Sequence, residues 1–414
     1  MKLKLSLLTL CLLLFAGNIA GQKASELVYV DASELTLINK GFDNTELDYS
    51  RLPLDLKDRT REAVWSLGLN SAGLAVRFSS NAHALGARWT LLNNFHMNHM
   101  AATGIRGIDL YTLEGNTWKF IGTAQPNGKE SSNVFVRNMD GSDREYLAYL
   151  PLYDGVTKVE FGADSGAVIA PPKKKHLLSA EKPYLFYGTS ITQGGCVSRP
   201  GMAYPSIIGR RTQKQIVNLG FSGNARMDQS MAEAIVRVDA ECYVIDCLPN
   251  CTAQIIRDSA YNFITYLCKE RPETPLYMVE NVTYPYTTVD VKSMNDLIEK
   301  NNLWKDLYYQ LLDEGYKNLK YISTDGQIGF DNEGTVDGSH MTDLGTYRMS
   351  NYLMEKMGLE EYIPSEAQKD EINYSLRNVV IVLLIFFCGY YAFKIRWRGS
   401  KTQESTPDKV ENQE

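Results

Sequence analysis

The second half of the chain alternates short apolar runs with longer helical patterns, and this alternation restricts the possible folds most. The apolar runs are YLFYG, QIVNLG, CYVIDC, PLYMVE and LKYIST. Helical patterns lie between these runs and after the last one, around Tyr204–Thr212, Met227–Val238, Ala253–Lys269, Ser293–Glu314 and Thr342–Met357. Continuous apolar strands joined by helices form parallel sheets that are covered on both faces. We therefore predict an α/β/α three-layer domain with a five-stranded parallel sheet over residues 183–360.

The first half has a different pattern, with many short β segments and little helical periodicity. Segments such as GLAVRFSS, ALGARWTLL and VTKVEFGAD are rich in β-branched and aromatic residues, and Gly, Asn and Asp separate them. The segment LEGNTW fits a hairpin turn. This pattern predicts an all-β sandwich, jelly-roll-like, over residues 27–169, followed by a linker over 170–182.

The N-terminal residues have the layout of a secretory signal. Two lysines precede an apolar run from Leu5 to Phe15, and small residues follow it. We predict a signal peptide over residues 1–21. The alternative is an uncleaved N-terminal anchor, although the apolar run is short for a membrane span.

A second apolar segment runs from Val379 to Phe393. A polar linker over 361–376 precedes it and basic residues follow it, which favours a membrane span over a buried core helix. We predict a transmembrane helix over 377–397 and, by the positive-inside rule, a cytoplasmic tail over 398–414. Together with the signal peptide, this predicts an exported protein anchored in the cytoplasmic membrane, with its folded domains on the outer, periplasmic side.

Composition excludes some partners and cofactors. The net charge is −6 and the pI is near 5.6, whereas nucleic-acid binding needs a basic face, so we expect no nucleic-acid partner. Of the seven cysteines, Cys11 falls in the signal peptide and Cys388 in the predicted membrane helix. The other five leave one disulfide or two open, without determining the pairing. The two cysteines of CLPNC have no histidine beside them, and no second cysteine pair lies at the spacing of a zinc finger, so we expect no metal there.

Polar residues follow the apolar strands, at the edge where open parallel sheets bind their ligands. GTSITQGG follows the first strand, and TVDGSHMTD lies beyond the fifth. Ser190 stands where the first strand turns into a helix, and His340 lies three residues after Asp337. An Asp-x-x-His turn lets the carboxylate hold the imidazole Nδ1–H, which leaves Nε2 to accept a serine proton. We predict Ser190 as nucleophile, His340 as base and Asp337 as the residue that orients it.

The loops after the second and third strands supply candidate oxyanion donors. Gly223 offers an unobstructed backbone N–H, and Asn250 offers a side-chain N–H. Each candidate alone has a simpler interpretation, because Ser190 could be a helix N-cap and Asp337 and Asn250 could be loop or turn residues. Their order, each near the carboxyl end of a strand, favours catalysis.

These segments resemble the sequence blocks of the SGNH (GDSL-type) hydrolases. YGTSITQGG is similar to the first block, NLGFSGN to the second, DCLPN to the third and DGSH to the last, with Ser190, Gly223, Asn250, Asp337 and His340 at the functional positions. The sandwich-first arrangement further resembles exported bacterial two-domain members of that family. The resemblance implies a flavodoxin-like catalytic domain, hydrolysis of carboxylic esters and no cofactor.

The blocks also depart from the family pattern. Thr189 stands where the first block usually has Asp, and Leu248 and Cys251 replace the outer residues of the usual Gly-x-Asn-Asp. These departures bear on the type of substrate more than on the mechanism. A Gly-x-Ser-x-Gly elbow of the α/β-hydrolase kind is absent, because Gly194 comes too late.

Two further features lie outside the blocks. NFHMNHM contains His96 and His99, with His83 upstream, but no carboxylate cluster accompanies them, and on a strand their spacing puts the two side chains on opposite faces. We expect this segment to pack at the domain interface and shape the cleft, not to bind metal. Tyr284 and Tyr286 follow the fourth strand and either line a pocket or, as we expect, pack in the core.

The sequence therefore predicts a serine esterase that works through an acyl-enzyme and deacylates a small molecule or a glycan. The altered blocks keep a competing class open, a glycan-binding protein with an inactive hydrolase-like scaffold. A lipid or thioester acylhydrolase is the other alternative.

Overall fold

The computed structural model describes residues 27–362, and this part of the chain forms one compact unit up to Glu361. The predicted signal peptide (1–21), nearly all of the predicted linker 361–376, the predicted membrane helix (377–397) and the predicted tail (398–414) lie outside the described residues.

The predicted fold class is corrected in one part, the transmembrane helix, which the described structure does not support. No helix within residues 27–362 is long and apolar enough to cross a membrane. The weakness of the prediction is length, because the run Val379–Phe393 would span about 22 Å as a helix whereas the hydrocarbon core is roughly 30 Å thick. The predicted localisation placed the protein in the cytoplasmic membrane, anchored by this helix, with its body on the outer side. It is corrected together with the helix.

The N-terminal region is rich in β structure. Its strands are β1 (Val28–Asp31), β2 (Thr36–Ile38), β3 (Ala75–Ser80), β4 (Leu85–Leu91), β5 (Ile108–Glu114), β6 (Thr117–Ala124), β7 (Glu130–Val136), β8 (Arg144–Tyr149), β9 (Val156–Ala163) and β10 (Ile169–Ala170). Two short helices, α1 (Glu62–Gly68) and α2 (Ala102–Arg106), interrupt them. One antiparallel sheet has the order β1-β9-β4-β7, and the other has the order β10-β3-β8-β5-β6 with β2 paired to β3.

The two antiparallel sheets pack face to face. Alternate residues of facing strands fill the space between them, for example Phe78 of β3, Trp89 of β4 and Phe161 of β9, all almost fully buried. The rings of Phe78 and Phe161 lie 4.7 Å apart between centroids. This alternation of buried side chains is what the short β segments of the sequence require.

The C-terminal region is an α/β structure with a parallel sheet. Its strands are β11 (Ser179–Gly188), β12 (Lys214–Gly220), β13 (Cys242–Asp246), β14 (Leu276–Val279) and β15 (Leu319–Ile322). Its helices are α3 (Ser190–Gln193), α4 (Tyr204–Thr212), α5 (Gln229–Ile235), α6 (Ala253–Glu270), α7 (Val291–Asp313) and α8 (Asp343–Met357). The strand order is β12-β11-β13-β14-β15 with every pairing parallel, the 2-1-3-4-5 order of flavodoxin-like sheets.

Both faces of the parallel sheet are buried. Leu185 and Tyr187 of β11 pack with α5, α6 and α7, whereas Tyr184 and Phe186 pack with α4 and α8. Burial on both faces explains why the strands are continuously apolar in the sequence. Because every pairing is parallel, the carboxyl ends of the strands lie together at one edge of the sheet, where the loops that follow them meet.

The β-rich region packs against helix α4 and strand β12. The Trp118 ring N–H donates to Oε1 of Gln213 at 3.0 Å, and the Arg210 guanidinium lies 4.2 Å from the centroid of the Tyr111 ring. The buried Arg51 donates to the carbonyl oxygens of Asn218 and Gly220 at 3.0 and 2.8 Å. These contacts hold loops of the β-rich region beside the carboxyl edge of the parallel sheet. The boundaries of the two predicted domains stay a prediction.

The cysteines of the described chain are all free thiols. Cys196, Cys242, Cys247, Cys251 and Cys268 are buried, and no disulfide joins any two of them within residues 27–362.

Candidate active site

A tight turn carries Ser190 at the end of β11. Thr189 is the N-cap of α3, and its side-chain oxygen accepts a hydrogen bond from the Ile191 N–H at 3.2 Å. Threonine and aspartate are both N-cap residues, so Thr189 can replace the usual Asp of this block without loss of the cap. A side chain on Gly188 would overlap Thr192, so only glycine permits this close approach.

Asp337 and His340 form a hydrogen-bonded pair in the loop before α8. Oδ2 of Asp337 lies 2.7 Å from Nδ1 of His340, and Oδ1 accepts from the N–H groups of His340 and Ser339 at 2.7 and 3.0 Å. Burial alone would raise the pKa of Asp337, but the hydrogen bonds from His340 and Ser339 outweigh it and lower the pKa to about 2. The ionised carboxylate keeps the proton on Nδ1, which leaves Nε2 as an acceptor.

The His340 ring lies against the turn that carries Ser190. A β-carbon on Gly195 would lie 3.2 Å from Cδ2 of His340 and 3.1 Å from the carbonyl oxygen of Ser190. The Gly195 N–H itself donates to that carbonyl oxygen at 2.6 Å. The structure thus brings together the first and last loops of the predicted site, although they are far apart in the sequence.

Gly223 and Asn250 lie in adjacent loops at the same edge. Oδ1 of Asn250 accepts from the Ala225 N–H at 3.2 Å, which leaves the side-chain Nδ2 for another acceptor. Gly223 adopts φ +69° in open space, with no atom within 4 Å of where a β-carbon would stand. Gln193 connects this loop to α3, because its Oε1 accepts from the Ser222 N–H at 3.0 Å.

A buried carboxyl group lies beneath the turn. Asp246 ends β13, is 4% exposed, and accepts hydrogen bonds from the hydroxyls of Tyr204 at 2.9 Å and Thr192 at 3.5 Å. Burial raises its pKa to about 7. The sequence motifs did not indicate this residue, although an acidic side chain at the end of an otherwise apolar strand is a signal of such a site.

The β-rich region contributes two side chains that the motifs did not indicate as neighbours of Ser190 and His340. The Tyr153 hydroxyl donates to the carbonyl oxygen of Ser190 at 3.3 Å. The ring of His99 lies 5.5 Å from the ring of His340 between centroids. The segment around His99 therefore lies at the predicted site, whereas His83 lies elsewhere, with Nδ1 2.7 Å from the carbonyl oxygen of Met139.

A pocket of about 230 Å³ adjoins the site, and Pro249 and Ser339, the chain neighbours of Asn250 and His340, line it. Tyr284 and Tyr286 also line it, and their rings are stacked with centroids 5.4 Å apart and planes 9° apart. Tyr284 is buried, but Tyr286 is 39% exposed. Tyr284 therefore both packs in the core, as expected, and lines the pocket, whereas Tyr286 lines the pocket as an exposed ring.

Two protein families match this chain. Residues 181–357 match the GDSL-like Lipase/Acylhydrolase family, and residues 27–169 match the N-terminus of Esterase_SGNH_hydro-type. No curated protein matches the chain.

Solved structures resemble the described fold over most of its length. A protein of Bacteroides ovatus named as a GDSL-like lipase is 31% identical, with a TM-score of 0.77 over 82% of this chain and 100% of that one. A salicylyl-acyltransferase from a tetracycline biosynthetic pathway is 13% identical, with a TM-score of 0.65 over 80% of this chain and 97% of that one.

A family two carbohydrate esterase from Cellvibrio japonicus is 10% identical, with a TM-score of 0.51 over 81% of this chain and 99% of that one. At such low identity it and the acyltransferase show a shared fold alone. The two family matches and the similarity to the Bacteroides ovatus protein go further. This chain belongs to the GDSL-like lipase/acylhydrolase family, the SGNH hydrolases, and it is an enzyme that hydrolyses esters.

Proposed function

We propose that this enzyme is a serine esterase with Ser190 as nucleophile, His340 as general base and acid, and Asp337 as the residue that orients His340. One observation carries the proposal: the Asp337–His340 pair, with 2.7 Å between Oδ2 and Nδ1, lies against the turn of Ser190. The Ser190 hydroxyl attacks the ester carbonyl while Nε2 of His340 accepts its proton. His340 then protonates the leaving alcohol, and water activated by the same ring hydrolyses the acyl-enzyme.

The negative oxygen of the tetrahedral intermediate needs hydrogen-bond donors that are already in position. We assign this role to the backbone N–H groups of Ser190 and Gly223 and to Nδ2 of Asn250. The contact of Asn250 Oδ1 with the Ala225 N–H, 3.2 Å long, supports the assignment because it orients the amide. Loss of one such donor typically costs about 2.7–4 kcal/mol of transition-state stabilisation.

The substrate class that we propose is an acylated glycan. The exposed ring of Tyr286 offers a flat surface on which the apolar face of a sugar ring can lie. The same pocket contains polar groups that could orient sugar hydroxyls, among them Asn281, Asp296 and Lys300. The Cellvibrio japonicus protein that shares this fold is a carbohydrate esterase, which is consistent with the proposal.

The nucleophile is tested by hydrolysis of p-nitrophenyl acetate with wild type, Ser190→Ala and the control Ser66→Ala. Ser66 is an exposed serine of α1, outside the site. We expect Ser190→Ala to lose the activity and Ser66→Ala to keep it, with both variants folded by circular dichroism. A folded Ser190→Ala variant that hydrolyses the ester at the wild-type rate would refute the proposed nucleophile.

The glycan part of the proposal needs a separate comparison. Acetate release from acetylated oligosaccharides is measured beside hydrolysis of p-nitrophenyl acetate, butyrate and octanoate. We expect the highest kcat/KM with the acetylated oligosaccharide and a decline with acyl length. A preference for octanoate, with no activity on the sugar esters, would favour the lipid acylhydrolase instead.

A further inference from the structure

Four metal-ligating side chains converge beside the proposed base. His99, Cys196, Asp337 and His340 each offer one ligand atom, and these atoms all lie within 4.8 Å of one another. His99 comes from the loop after β4, Cys196 from the segment after α3, and the other two from the loop before α8. Among residues 27–362 this is the group of His, Cys and acidic side chains close enough to hold a metal ion.

The donor types fit a soft divalent cation. Two imidazole nitrogens, a thiol sulfur and a carboxylate are ligands that Zn²⁺ accepts, whereas Mg²⁺ and Ca²⁺ prefer oxygen alone. Tetrahedral zinc with bonds of roughly 2.0–2.3 Å separates its ligand atoms by about 3.3–3.6 Å. Closing the group around an ion therefore requires shifts of about 1 Å, which side-chain rotation can supply.

Both imidazole rings are held in the way that zinc ligands usually are. Nδ1 of His340 lies 2.7 Å from Oδ2 of Asp337, and Nδ1 of His99 lies 3.0 Å from Oδ1 of Asn98. An oxygen on one ring nitrogen fixes the orientation of the ring and leaves Nε2 to bind the metal. Asn98 is not one of the four clustered residues, so its contact with His99 is an observation independent of their proximity.

We propose that His99, Cys196 and His340 bind Zn²⁺, with Asp337 holding His340, and that the bound ion inhibits the esterase. Zinc binding displaces the proton of the Cys196 thiol to solvent and forms the metal–sulfur bond. The lone pair on Nε2 of His340 is then used by the metal, so it cannot accept the proton of Ser190. The inhibition rests on the proposed function, but the binding does not.

The binding is tested on the full chain with Zn²⁺ in titration calorimetry and with Co²⁺ by its thiolate charge-transfer absorption. We expect one ion per chain for wild type and for Ser190→Ala, and at least about tenfold weaker binding for Cys196→Ser and His99→Gln. The matched controls are Cys268→Ser, a buried thiol of α6, and His83→Gln, which should both bind as wild type does. Thermal unfolding establishes that each variant is folded.

Wild-type protein that binds no ion, or a folded Cys196→Ser variant that binds as tightly as wild type, would overturn the site. The inhibition is tested by ester hydrolysis with Zn²⁺ added and then removed by a chelator. We expect reversible inhibition of wild type and at least about tenfold less sensitivity in Cys196→Ser and His99→Gln. Zinc binding without inhibition of an active wild type would overturn the inhibitory role, whereas an inactive wild type that binds zinc would count against the proposed function alone.

Discussion

Replacement of Asp246 by Asn tests the energetics of the buried carboxyl group beneath the Ser190 turn. Its pKa is raised from 3.8 to about 7 because burial disfavours the charged form, while the Tyr204 and Thr192 hydroxyls partly offset this effect. Asparagine has nearly the same shape as the protonated carboxyl group. Its oxygen can accept from Tyr204, but it cannot ionise.

The magnitude follows from the two pKa values. Between pH 3.8 and about 7 the unfolded chain has lost the Asp246 proton and the folded protein keeps it. The folded state then binds more protons, so the wild-type free energy of unfolding falls as the pH rises through this window. A shift of about 3 units, at 1.36 kcal/mol per unit, corresponds to a loss of about 4 kcal/mol above pH 7. The side chain of Asp246→Asn cannot ionise, so the free energy of unfolding of this variant does not show this loss.

The assay is urea unfolding of wild type and Asp246→Asn from pH 4 to pH 8, followed by fluorescence and circular dichroism. We expect the two proteins to be nearly equal in stability at pH 4, with the variant gaining up to about 4 kcal/mol on wild type by pH 8. Asp258→Asn on the exposed face of α6 is the control, in which a carboxylate is removed without burial. Parallel stability curves for wild type and Asp246→Asn would refute the reasoning.

Three more predictions concern the site itself. Asn250→Ala should lower kcat by about 10²–10³ with little change in KM, as measured by steady-state ester hydrolysis, because the lost donor acts on the transition state. Tyr286→Ala should raise KM for acetylated oligosaccharides at least about tenfold, whereas the KM of Tyr286→Phe should stay near wild type, because the sugar contacts the face of the ring and not the hydroxyl. Equal KM values in the two variants would contradict the sugar-stacking role. Gly220→Ala should destabilise the protein by about 1–3 kcal/mol in urea unfolding, because the added methyl group would overlap the backbone of Gln193. Gly128→Ala should not, because its β-carbon would make only an ordinary contact, 3.5 Å from the carbonyl oxygen of Glu130. An Asn250→Ala variant with unchanged kcat would remove Asn250 from the proposed oxyanion site.

Local patterns were enough to predict the elements that position the site. Helix α4 has the bounds predicted for it, Tyr204–Thr212, and α6 and β12 differ from prediction by one residue at one end each. The LEGNTW segment forms the hairpin of β5 and β6, with Gly115 at φ +60° between them. Hydrophobic periodicity and turn residues act over a few residues, so a single sequence contains them. The length of an apolar run is also local, but the run Val379–Phe393 and its polar and basic flanks led to the membrane helix that had to be corrected.

The five residues of the blocks could be named from the sequence because their neighbours in the chain identify them. What the sequence determined is therefore the order of strands and helices and the loops that carry Ser190, Gly223, Asn250, Asp337 and His340. The 2.7 Å contact of Asp337 with His340 was predictable because only two residues of the same turn lie between them.

Only the tertiary structure decided which other side chains join that edge of the sheet. His99 and Tyr153 reach the site because the β-rich region packs on α4 and β12, through contacts such as Arg51 with the carbonyl oxygen of Gly220 at 2.8 Å. The raised pKa of Asp246 likewise depends on burial by segments distant in sequence. Such contacts depend on how whole elements pack, and neither periodicity nor spacing along the chain records that packing.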